Sequence, residues 1–139
     1  MKGGATVDYS LPQRLQDYIE AEQNDEALYR AMADIAPNEE ERRIFLEIAE
    51  NERRHADSFL KIYLAMTGQN YTPRAYPRTL EGPYRFALRQ LLLNEHRTFQ
   101  EYHRQFMKTD NMELKSVCYE AGRNKSTHIQ KLISLMTRD

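Results

Sequence analysis

Glu52 and His55 stand three residues apart within a stretch of helical periodicity. On a helix, positions i and i+3 share a face, so a carboxylate and an imidazole are offered together to one cation. The surrounding apolar spacing puts both on the stripe turned toward a core. Ile44, Ile48, Glu52, His55, Phe59, Ile62 and Met66 recur at spacings of three and four residues. Unpaired charge on such a stripe is costly, so the rest of the chain must compensate it. Carboxylates mixed with imidazoles suit iron or manganese.

Four helices are predicted to position these groups. Ser10 reads as an N-cap with Pro12 in the first turn, opening a helix that runs to about Ala36, where Pro37 stops it. Asn38 caps the second helix, whose first turn holds Glu39, Glu40 and Glu41 and whose end falls at Thr67 before Gly68. Residues 69–80 carry Pro73 and Pro77 and show no periodicity. Twelve residues at about 3.3 Å each reach about 40 Å, roughly the length of the second helix, so this segment can cross the whole bundle. A third helix is expected from residues 81–83 to about Thr109. After a break at Asp110-Asn111, a fourth runs to about Thr137. Residues 1–10 are expected to be a flexible lead-in and 11–139 a single all-α four-helix bundle.

The two hairpins echo each other at an offset of 73 residues. Glu22 matches Glu95, Tyr29 matches Tyr102, and His55 matches His128. The hydrophobic positions follow: Leu15 with Leu88, Ile19 with Leu92, Ile44 with Val117, Phe59 with Leu132, and Leu60 with Ile133. An internal repeat implies two hairpins related by a pseudo-twofold axis. Glu22, Glu52, His55, Glu95 and His128 all fall near the middles of their helices, so five potential ligands are expected at one depth.

Composition narrows the partners. The formal net charge is −1, and charged residues make up 29% of the chain, which points away from nucleic acid and acidic membrane surfaces. No apolar run is long enough to span a bilayer, and the first residues lack a signal-peptide core. A cytoplasmic location is expected. The single cysteine, Cys118, excludes an internal disulfide and a four-cysteine metal site, and it reads as a small buried hydrophobe.

These residues resemble the rubrerythrin-like branch of the ferritin-like superfamily over positions 11–137. The resemblance is carried by Glu22 with Tyr29, Glu52-x-x-His55-Ala56, Glu95 with Tyr102, and His128. It implies a ferritin-like bundle with a long crossover between helices 2 and 3, up-down-down-up, and a di-iron centre. The implied ligands are Glu22, Glu52, His55, Glu95 and His128, with Tyr29 and Tyr102 hydrogen-bonding around them; Tyr29, Tyr102 and Lys125 are the expected catalytic residues, one of the tyrosines hydrogen-bonding bound oxygen. The implied activity is an oxidoreductase reacting with peroxide or dioxygen in defence against oxidative stress, and a homodimer is the family expectation. The family often carries a rubredoxin module on four cysteines. With one cysteine, this chain is expected to take electrons from a separate donor protein.

Lys125 departs from the pattern. It stands where the repeat and the resemblance call for a glutamate, three residues before His128 and 73 after Glu52. Four glutamates would neutralise two divalent ions, whereas three glutamates and one lysine neutralise one. One firmly held ion is therefore expected, or two if Lys125 swings away or loses its proton. A ligand set lacking the fourth carboxylate also resembles the dimanganese catalases, which are longer.

Plainer readings stand beside these. Three carboxylates balanced by Lys125 and two imidazolium groups would make a metal-free buried network. A metal carrier or sensor without turnover is a further alternative. Tyr29 and Tyr102 serve equally as core residues with bonded hydroxyls. His96 and His103 fall on the solvent side, Glu39–Glu41 reads as a solvated helix start, and Tyr71, Tyr76 and Tyr84 are expected to pack the crossover onto the bundle.

Overall fold

The computed structural model describes residues 10–74, 80 and 82–138, so the expected lead-in at 1–9, Tyr76, Pro77 and Glu81 lie outside the described residues. Capping residues place the helices. The Ser10 hydroxyl accepts from the Gln13 N–H at the start of α1 (Leu11–Asp34). Asn38 Oδ1 accepts from the Glu41 N–H at 2.9 Å and opens α2 (Glu39–Thr67). That helix closes on Gly68 at φ 72°, a left-handed conformation costing an ordinary residue ~1–2 kcal/mol. α3 (Tyr84–Lys108) follows Pro83, and α4 (Met112–Met136) starts where Asn111 Oδ1 accepts from the Leu114 N–H at 2.9 Å.

α1 ends two residues before the expected stop. The N–H groups of Ile35 and Ala36 bond back only three residues, to Met32 and Ala33, so the helix tightens ahead of Pro37, which disfavours helical backbone in the residue before it.

The pairing of side chains gives the topology. Tyr18 bonds to Glu101 and Gln105 while the later Tyr29 bonds to the earlier Glu95, so α1 and α3 are antiparallel. Glu47 meets Lys131 and Glu52 meets Lys125, so α2 and α4 are antiparallel as well. The result is an all-α, ferritin-like bundle of two hairpins joined by a long crossover. Tyr71 fastens that crossover through Glu20 and the Tyr63 ring. Tyr84 ties the start of α3 down through Glu41 and the Phe45 ring.

Two apolar clusters fill the interior. One is built from Tyr29, Phe45, Ile48, Leu88, Leu91 and Leu132, the other from Leu15, Ile19, Phe59, Tyr102, Leu114 and Cys118. The α2 stripe differs from expectation at its ends: Met66 is 36% exposed, and Phe45 is buried where Ile44 is only half-buried. Met66 stands in the last turn of α2, next to Thr67 at the helix end. Ile133 is likewise exposed, whereas its repeat partner Leu60 is half-buried against the second cluster. Glu41 is buried against the Tyr84 hydroxyl instead of being solvated.

Candidate metal centre

Helix periodicity turns Glu22 from α1, Glu52 and His55 from α2, Glu95 from α3, and Lys125 and His128 from α4 into the interior, all of them buried. All five expected ligands meet there, and Lys125 sits among them. Glu22 Oε1 lies 3.1 Å from His55 Nδ1, and Glu95 Oε1 lies 3.1 Å from His128 Nδ1, so the repeat is visible as matching distances. Tyr102 donates to Glu22 Oε2, and Tyr29 donates to Glu95 Oε2 at 2.6 Å, each tyrosine serving the carboxylate of the other hairpin.

The Lys125 ammonium breaks this symmetry. Its Nζ is 2.6 Å from Glu52 Oε2 and 3.2 and 3.1 Å from the two oxygens of Glu22, but 4.0 Å from Glu95 Oε1. Glu52 Oε1 stands between the two imidazoles. It lies 3.3 Å from His55 Nδ1 and 3.9 Å from His128 Nδ1, with no hydrogen-bond partner. A buried carboxylate oxygen without a hydrogen bond is only partly compensated by the imidazole 3.3 Å away, and a cation is a species that would complete the compensation.

Burial would raise the Glu22 carboxyl, but Lys125 above all, then His55 and the Tyr102 hydroxyl, hold it below the usual range. Glu95 is lowered in the same way by Lys125, His128 and Tyr29 against its burial. Glu52 goes up, because burial and the neighbouring charge of Glu22 outweigh Lys125. Burial lowers the Lys125 ammonium, yet the three glutamates more than offset this and keep it charged. The histidines diverge: against its burial, the bond to Glu22 and the nearby Glu52 carboxylate lift His55 to about 9, whereas burial dominates at His128 and lowers it. His128 is thus neutral at pH 7, the form in which imidazole ligates a metal.

Two further residues complete the centre. The Asn124 amide Nδ2 is 2.8 Å from His55 Nε2, and that of Asn51 is 3.1 Å from His128 Nε2. A carboxamide serves either imidazole tautomer, since its NH₂ meets a bare nitrogen and its oxygen meets an N–H. Asn51 and Asn124 are also 73 residues apart, and that spacing was the sequence signal that could have found them. His96 and His103 are exposed and Cys118 is buried, as expected.

The α1/α3 seam is wide, with no Cα pair within 8 Å among the described residues. It holds a cavity of about 310 Å³ lined by Arg14, Asp17, Tyr18, Thr98, Glu101 and Tyr102. Tyr102 links this cavity to Glu22.

The donor set fits a divalent cation. Glu22, Glu52 and His55 form one group, and Glu52, Glu95 and His128 another. In each, one ligand atom per residue lies within 4.8 Å of the others, and Glu52 is common to both. A family model described as rubrerythrin matches residues 14–114. The chain belongs to the rubrerythrin family. The rubrerythrin match spans Glu22, Glu52, His55 and Glu95 and stops at Leu114, short of Lys125 and His128. An uncharacterized protein of Bacillus subtilis (strain 168), YhjR, is 31% identical over 120 residues, which is 85% of this chain and 81% of that one.

Proposed function

We propose that this rubrerythrin-family chain binds iron, or manganese, at the Glu22, Glu52, His55, Glu95 and His128 centre. There it acts as an oxidoreductase on hydrogen peroxide or dioxygen, with electrons from a separate donor protein. The observation that carries the reading is the buried, unpartnered Glu52 Oε1 between two imidazoles in a carboxylate-rich centre. Bound iron or manganese would supply the change of oxidation state that reduction of peroxide or dioxygen needs. The chain supplies the rest. Tyr29 and Tyr102 orient Glu95 and Glu22, and Lys125 holds a proton against Glu22 and Glu52. The cavity beside Tyr102 has room for a molecule as small as peroxide.

A cytoplasmic homodimer is part of the same proposal. The lone buried Cys118 supports the compartment, and membership of the family supports the dimer. Among the described residues, no helix is long and apolar enough to cross a membrane.

The 2.6 Å bond between Lys125 and Glu52 favours a second reading, a buried network that balances its own charge without metal. Elemental analysis of protein purified without chelator, repeated after anaerobic incubation with ferrous iron, separates the two. Bound metal together with consumption of peroxide in the presence of a supplied reductant is the expected result. Metal without turnover would leave a carrier or sensor, and no metal in either sample would leave the network.

A further inference from the structure

Resting on that metal-binding reading, we infer that the centre takes one divalent ion per chain, held by Glu52, Glu95 and His128, while the Lys125 ammonium stands in for a second ion beside Glu22. The two halves of the repeat offer equivalent sets of ligands, so a chain with glutamate at both 52 and 125 would treat them alike. Lys125 does not. Its Nζ is within 3.2 Å of both Glu22 oxygens and 2.6 Å from Glu52 Oε2, and it is 4.0 Å from Glu95.

The ammonium therefore uses up one half of the centre. Both Glu22 oxygens are engaged: Oε1 by His55 and Lys125, Oε2 by Tyr102 and Lys125. Glu52 Oε2 is also taken by Lys125. Glu52 Oε1 has no hydrogen bond and lies between the two imidazoles, 3.3 Å from His55 Nδ1 and 3.9 Å from His128 Nδ1; in the other half, Glu95 Oε1 meets His128 at 3.1 Å and stays 4.0 Å from the ammonium. Glu52, Glu95 and His128 bring their ligand atoms within 4.8 Å of one another.

Charge gives the same answer. With both imidazoles neutral, as metal ligands are, Lys125 neutralises Glu22, which leaves Glu52 and Glu95 to neutralise one divalent ion. A second ion would leave two positive charges uncompensated in a buried site, a large desolvation cost.

Equilibrium dialysis with manganese(II) tests this without reference to turnover. One ion per chain is expected in the native protein. His128→Ala should weaken binding by more than tenfold, His55→Ala should stay within about threefold of the native affinity, and Lys125→Glu should approach two ions per chain. Should Lys125→Glu fail to fold, by circular dichroism, the two histidine variants still decide the question. Two ions in the native protein, or equal losses in the two histidine variants, would overturn this assignment and leave the metal-binding reading standing. A folded Lys125→Glu protein that stays at one ion would also overturn the assignment. No bound manganese at all would overturn both.

Discussion

The Tyr29 hydroxyl donates to Glu95 Oε2 at 2.6 Å, reaching from α1 to a carboxylate 66 residues further along the chain. Tyr102 returns the gesture to Glu22, so the two hairpins are stitched by a reciprocal pair of bonds across the wide α1/α3 seam. Each carboxylate is thus oriented in part by a tyrosine of the half that does not carry it.

Tyr29→Phe and Tyr102→Phe each leave a buried carboxylate oxygen short of a donor while preserving the ring that packs the core. Each variant should lose ~1.5–3 kcal/mol of stability, the range for hydrogen bonds to charged groups. Urea denaturation of the metal-free proteins measures it. Losses below about 0.5 kcal/mol in both would show that these bonds contribute little.

Asn51 and Asn124 back opposite histidines, so their removal should separate the two halves of the centre. Groups that orient a metal-bound histidine typically affect affinity by about 10–100-fold. Asn51→Ala, behind His128, is expected to fall in that range for manganese(II). Asn124→Ala, behind His55, is expected to change affinity far less. Titration calorimetry compares them directly, and a larger loss in Asn124→Ala would contradict the assignment of the ion to His128.

Burial, with a contribution from Glu101, pushes the Cys118 thiol up from an ordinary value of 9.0 to about 12. The folded chain therefore holds this proton where the unfolded chain has released it. The contribution to stability is complete below about pH 9 and is lost as the pH climbs toward 12. At pH 9 and above, urea midpoints of the native protein should fall faster than those of Cys118→Ala. Iodoacetamide should alkylate the native thiol roughly a hundredfold or more slowly than the urea-unfolded thiol, from the smaller thiolate fraction alone. Comparable rates in the two states would show that Cys118 is not shielded.

The sequence by itself determined what depends on order along the chain. Ser10, Asn38, Gly68 and Asn111 marked helix ends because capping is a matter of neighbouring residues. The 73-residue echo and the mid-helix positions of Glu22, Glu52, His55, Glu95 and His128 brought five ligands to one level, because equal helices packed side by side share their midpoints. The exposure of Met66 and the burial of Phe45 in place of Ile44 were not legible, since spacing along one helix does not say where its neighbours cover it.

Only the tertiary structure decided how the centre divides. Lys125 could be recognised as the odd member of the repeat, yet nothing in its spacing says that its ammonium bonds to Glu52, its own counterpart, and leans toward Glu22 instead of Glu95. Nor does spacing say that His55 gains a proton and His128 sheds one, although the two occupy matching places. Those differences come from side-chain distances of 2.6 to 4.0 Å within the centre and from loss of water around buried charge, which neither residue type nor position in the chain encodes.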